Sequence, residues 1–184
     1  NESGEYVQVS EAAVVYNPVK VDVERLRAAV AVAESEHGWA KSLWLETSED
    51  DPGIGQGRQA VREGADVVIA AGGDGTVRAV AEALQNTGVA LSLLPSGTGN
   101  LLARNLGLDV NTNHLEASVD LAFTGTDSAI DVGVVEVDRP DGSTETHSFV
   151  VMAGLGLDAK MIANTNPELK KRVGWLAYVD AIGR

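Results

Sequence analysis

Apolar positions in this chain fall into two registers. Three blocks, 12–16 (AAVVY), 67–71 (VVIAA) and 89–94 (VALSLL), are almost unbroken, as expected of strands buried on both faces. Between them the spacing becomes helical. Leu26, Ala29, Val30 and Ala33 mark one face of a helix over 23–37, with Asp22 as N-cap and Gly38 as its stop. Val77, Val80, Ala81 and Leu84 mark a second helix over 76–86. Residues 41–47 (KSLWLET) alternate like a strand, 48–57 read as an acidic, glycine-rich loop, and 59–63 as a short helix. Leu101 opens another short helix (LLARNLGL), and 114–123 is helical. Strand and helix alternating in this way predict an α/β fold, a parallel sheet with crossover helices, over 1–126.

From Ser128 the pattern changes. Ile130, Val132, Val134 and Val137 form a strand-like run, Arg139-Pro140-Asp141-Gly142 is a turn, and 144–153 is a second strand. That is a β-hairpin. Residues 169–182 read as a final helix. The expectation is an α/β lobe over 1–126, then the beginning of a β-rich lobe over 127–184 that is incomplete.

Composition narrows the function classes. With 44% hydrophobic residues the chain can bury a real core, and with no cysteine it has no disulfide, thiolate metal site or cysteine nucleophile. His37, His114 and His147 are scattered and read as ordinary surface or partly buried residues. A net charge of −13 argues against nucleic-acid binding and against a broad electrostatic membrane patch. No apolar run approaches the ~20 residues of a membrane-spanning helix. The opening NESGEYVQVS has no basic-then-apolar targeting pattern, so a cytoplasmic protein is expected.

The candidate chemistry sits where the central strand empties into glycines. In 65–76 (ADVVIAAGGDGT), Gly72, Gly73 and Gly75 surround Asp74, and a helix follows. A glycine turn between a strand and a helix N-terminus suits phosphate, because free N–H groups and the helix dipole converge there. Asp74 is the odd member. A carboxylate beside a polyphosphate repels it unless a cation lies between them or a donor holds the carboxylate, and magnesium is the simplest mediator. Gly-Asp-Gly alone is also an ordinary tight turn. A second loop, Pro95-Ser96-Gly97-Thr98-Gly99-Asn100, follows another strand. Two such loops at two strand ends face one crevice if the sheet is parallel.

AAGGDGTVRAVAEAL followed by LLPSGTGNLLARNLGL resembles the catalytic domain of diacylglycerol kinases and their sphingosine-kinase and bacterial lipid-kinase relatives. Asn17-Pro18, Thr47, GLGLDA at 154–159 and LKKRVGWLAY at 169–178 fall in the same order as in that family. The resemblance implies an ATP-dependent kinase of phospholipid biosynthesis acting on a lipid hydroxyl, diacylglycerol-like or sphingoid, with ATP and Mg2+ in a cleft between an α/β and a β-sandwich lobe. It implies that Asn17 and Thr47 line the nucleotide site. Gly72, Gly73, Asp74, Gly75 and Thr76 would cradle the phosphates, with Gly97 and Thr98 from the second loop. Asn100 would orient that loop or hold Asp74, and Asp74 would meet the metal. It also implies a lipid substrate at a membrane surface, with the protein cytoplasmic or peripheral to the membrane. A homodimer is an allowed assembly.

The chain departs from the family in two places. Many relatives continue the first helix with Asn-Glu, where this chain has Arg78-Ala79; Arg78 reads as a solvated helix face or as a phosphate contact. Many bacterial relatives place Asp where Leu101 stands. The family's general base would lie beyond Arg184, and neither Asp131 nor Asp158 is assigned that role. Lys170, Lys171 and Arg172 beside Trp175 and Tyr178 read as a helix packing on a further lobe rather than touching anionic lipid. The GGDGT loop alone would also permit an NAD kinase, and a nucleotide-binding module without transfer activity is the alternative from another class.

Overall fold

The computed structural model describes residues 9–108 and 110–151. Four strands, β1 (Ala12–Tyr16), β2 (Leu43–Glu46), β3 (Val67–Gly72) and β4 (Ala90–Pro95), form one sheet in the order β2-β1-β3-β4. All three pairings are parallel. Helices α1 (Val23–His37), α2 (Ile54–Arg62), α3 (Asp74–Leu84), α4 (Leu101–Asn105) and α5 (Leu115–Thr124) complete the α/β architecture. A short 3-10 turn at Thr112–His114 leads into α5.

The unbroken blocks of β1 and β3 are explained by two cores, whereas β4, an edge strand, is only partly buried apart from Leu94. Ala12, Val14 and Tyr16 of β1 face Leu26, Ala29, Val30 and Ala33 of α1 and Val119 and Phe123 of α5. Ala13 and Val15 face the other way, toward Ala60 of α2 and Val77, Val80 and Leu84 of α3. Alternate residues of one strand therefore enter different cores, and neither face needs a polar residue. α1 has the expected caps. Arg25 N–H donates to Asp22 Oδ1 at 3.0 Å, and Gly38 is left-handed at φ 70°.

Several boundaries differ from expectation. α2 begins at Ile54, within the stretch read as loop. The Asp51 carboxylate accepts from the N–H groups of Gly53 and Gly55 and so stabilises the helix start. Gly57 is buried because a Cβ there would lie 2.6 Å from Cβ of Ala83 on α3. This glycine permits close helix packing rather than marking a turn. β2 is shorter than 41–47, since Lys41 and Ser42 are drawn to Glu34 at 2.9 and 2.7 Å. Burial pushes the Glu34 carboxyl up, but these hydrogen bonds outweigh it and hold the group below its ordinary range.

The hairpin forms as β5 (Gly133–Asp138) and β6 (Thr144–Phe149), antiparallel, in a sheet of its own. Its strands are shorter than expected, and Val134 is half exposed while Val135 and Val137 turn inward. Phe149 explains the start: its ring lies where Gly133 would carry a Cβ. Val150 and Val151 then leave the hairpin to pack on the core beneath α3. The expected features at 154–159, 169–178 and Asp158 lie outside the described residues. Among the described residues, no helix is long and apolar enough to cross a membrane.

Candidate active site

The sheet order places a crevice. The chain runs from β1 to β2 on one side and then returns to lay β3 on the other side of β1. Winding reverses between β1 and β3, and ligands of open parallel sheets bind outside the strands' carboxyl ends at such a point. Asn17 leaves β1 there, and its N–H donates to the carbonyl of Ala71 at 2.9 Å. The Asn17 side chain accepts from Val19 N–H at 3.0 Å, shaping the loop into α1. Thr47 leaves β2, is buried, and donates its N–H to the carbonyl of Tyr16 at 2.9 Å. Ser96 leaves β4 and donates its N–H to the carbonyl of Gly72 at 2.9 Å. Residues scattered along the sequence thus share one edge of the sheet.

The two glycine loops touch at that edge. β3 ends at Gly72, Gly73 is the N-cap of α3, and Asp74 is its first residue. The turn is therefore tighter than the sequence suggests, and Gly75 and Thr76 lie inside the helix. Asp74 Oδ2 accepts from Asn100 N–H at 3.0 Å and Oδ1 from Leu101 N–H at 2.7 Å. Asn100, left-handed at φ 50°, closes its own loop. Its Oδ1 accepts from Gly97 N–H and its Nδ2 donates to the Gly97 carbonyl, both at 2.9 Å. Arg104 Nε donates to the Gly99 carbonyl at 2.8 Å.

Close approach is what these loop glycines provide. A Cβ on Gly97 would fall 2.8 Å from Cα of Gly73, and one on Gly99 would fall 2.6 Å from Asp74 Oδ2. Left-handed backbone, the other use of glycine, is absent at Gly72, Gly73, Gly75, Gly97 and Gly99. Gly99 and the N–H of Leu101 were not among the expected site residues. The N–H of Leu101 is available whatever side chain that position carries, so the departure from Asp there leaves the contact intact.

The arrangement offers donors and a cleft. The first backbone bond within α3 runs from Val77 N–H to the Gly73 carbonyl at 3.1 Å. The N–H groups of Asp74, Gly75 and Thr76 precede it, so they have no partner within the helix. A Cβ on Gly75 would meet nothing within 4 Å, so this helix start opens outward. An anion is favoured there by donors and dipole together. Beside it, Asp74, Val77, Arg78, Leu101, Leu102, Val150 and Val151 line a cleft of about 140 Å³. Arg78 Nη1 donates to Glu82 Oε2 at 2.9 Å.

Asp74 is held by donors, one of the two conditions the sequence set for a carboxylate at this place. Each of its oxygens keeps a further lone pair after accepting one N–H. A single carboxylate with phosphate and water is a donor set magnesium accepts, so the residues present fit that ion.

The diacylglycerol kinase catalytic domain family matches residues 11–135 of the chain. A Pseudomonas aeruginosa protein named "Probable lipid kinase YegS-like" is 39% identical over 163 residues, covering 85% of this chain and 47% of its own length. A Klebsiella pneumoniae protein of the same name is 32% identical over 123 residues, 66% of this chain and 38% of that one. This chain thus spans about half or less of the curated relatives it matches. A crystal structure named "putative diacylglycerol kinase from Bacillus anthracis str. Sterne" shares the fold, with a TM-score of 0.59 and 22% identity. That superposition covers 98% of this chain and 57% of the other. The chain belongs to the diacylglycerol kinase catalytic domain family.

Proposed function

We propose that the chain is the nucleotide-binding part of an ATP-dependent kinase that phosphorylates a lipid hydroxyl. The observation that carries this reading is the joining of two glycine loops, at the carboxyl ends of β3 and β4, through the Asp74 carboxylate. The phosphates of ATP would lie against the N–H groups of Asp74, Gly75 and Thr76, with Gly97 and Thr98 on the facing loop. Asn17 and Thr47, on the neighbouring strand ends, would bound the rest of the nucleotide. A magnesium ion beside Asp74 would offset phosphate charge.

In the transfer, an acceptor oxygen forms a bond to the γ-phosphorus while the bond from that phosphorus to the β,γ-bridging oxygen breaks, leaving ADP. The hydroxyl proton passes to a base outside the described residues. This chain's part is positioning: backbone N–H groups fixed by α3 and by the Asp74 tether meet the phosphoryl oxygens without rearranging. The hairpin over β5 and β6 would begin the acceptor lobe, and Val150 and Val151 give the cleft an apolar wall suited to a lipid.

The test is transfer of labelled γ-phosphate from Mg·ATP to diacylglycerol, sphingosine, other lipid alcohols and NAD. A labelled lipid that disappears with Asp74→Ala supports the reading. Labelled NADP would overturn it in favour of an NAD kinase. Nucleotide binding without any labelled product would favour a non-catalytic module.

A further inference from the structure

Arg78 occupies a place that the site residues leave unexplained. It lies one turn beyond Asp74 on α3, and residues four apart share a helix face. Both therefore line the same cleft, with Val77, Leu101, Leu102, Val150 and Val151 as apolar walls. Among the described residues, Arg78 is the one basic side chain lining it. Its side chain is 41% exposed and, among the described residues, is tied by one bond, Nη1 to Glu82 Oε2 at 2.9 Å.

That tie is a weak one. The pair is part-buried, with the Arg78 side chain the more exposed partner, and its order on the helix, cation four residues before anion, is the less favourable one. No hydrogen bond joins Asp74 to the guanidinium; its oxygens accept from the N–H groups of Asn100 and Leu101. A guanidinium carries five N–H donors in a planar fork that matches phosphate oxygens in pairs. The cleft therefore presents a phosphate-matching cation one helical turn from the N–H groups of α3.

The chain's overall charge sharpens the point. With a net charge of −13 and a carboxylate inside the phosphate loop, a triphosphate needs local positive charge. Phosphates cradled by Gly73–Thr76 have their charge met by backbone donors. A terminal phosphoryl group leaving that loop toward an acceptor in the apolar cleft would pass Arg78.

We propose that Arg78 leaves Glu82 to bind the terminal phosphoryl group of the nucleotide, acting as a phosphate-positioning residue at the mouth of the acceptor cleft. This rests on the kinase reading above. It assigns a role to a residue that departs from the family pattern.

Comparing ATP with ADP isolates the terminal group. Calorimetry of the full chain with Mg·ATP and Mg·ADP would be run for the wild type, Arg78→Gln, Arg78→Lys and Glu82→Gln. A charge-assisted bond predicts that Arg78→Gln weakens ATP about tenfold or more while ADP stays within about twofold. Arg78→Lys recovers part of the loss, and Glu82→Gln tightens ATP. Equal ATP affinity in wild type and Arg78→Gln, or an equal loss for ATP and ADP, overturns the assignment and leaves an ordinary helix-face ion pair. A wild type that binds neither nucleotide overturns the kinase reading itself, a result distinct from either.

Discussion

Asp74 holds two backbone N–H groups on a loop more than twenty residues away while standing at the start of α3. Removing it takes away two charge-assisted hydrogen bonds, each of order 1.5–3 kcal/mol, offset in part by solvent reaching the vacated N–H groups. Asp74→Ala should therefore lower unfolding free energy by about 2 kcal/mol in urea titration as well as weaken nucleotide binding. Asp74→Asn, which keeps one acceptor oxygen, should lose less stability. Gly97→Ala makes a different prediction. Its methyl group would sit 2.8 Å from Cα of Gly73, so the loops must part. Nucleotide affinity should fall by more than tenfold while circular dichroism stays that of the folded protein. At this scale the sequence shows which residues matter but not how they meet. The glycines and Asp74 stand out by composition, whereas the donors to Asp74 are backbone groups with no residue-type signature. Arg78 was visible as a departure, and only the cleft gives it neighbours.

Elements were legible where burial sets the period. The blocks at β1 and β3 and the capped face of α1 could be read because both cores demand apolar residues and Asp22 and Gly38 mark the ends. α2 was truncated because glycine suggests a loop, while here Gly57 lies under Ala83. Gly57→Val should cost about 1–3 kcal/mol by overpacking, read as a lower urea midpoint with an unchanged slope. α1 and α5 are joined by another contact hidden from local pattern. Arg25 donates from Nε and Nη2 to the two oxygens of Glu116, at 2.7 and 2.6 Å. These hydrogen bonds, then one from its own backbone N–H, and last the guanidinium charge, hold the Glu116 carboxyl down at about 2 against an ordinary 4.5. A carboxyl depressed on folding adds stability above its unfolded value and loses it as pH falls through its folded one. The melting-temperature gap between wild type and Glu116→Gln should thus be full at neutral pH and close between about 4.5 and about 2. A gap that persists at the acid end would assign the contribution to packing instead.

For the whole molecule, the order β2-β1-β3-β4 determines where chemistry can occur, since it sends Asn17, Thr47 and both glycine loops to one edge. Alternation of strands and helices made a parallel sheet legible, but strand order carries no signal in a single sequence. It follows from which helices cover which face. The hairpin was legible as a change of period. Its inward face was not, because Gly133 and Phe149 interlock and set the register. The cradle proposed for nucleotide phosphate is the pair of joined loops. A crystal structure with magnesium and a non-hydrolysable ATP analogue tests it directly. Phosphate oxygens are expected within hydrogen-bond distance of the N–H groups of Asp74, Gly75 and Thr76, with Asp74 still bound to Asn100 and Leu101. A nucleotide seated elsewhere, or phosphates bound only after the loops separate, would contradict it.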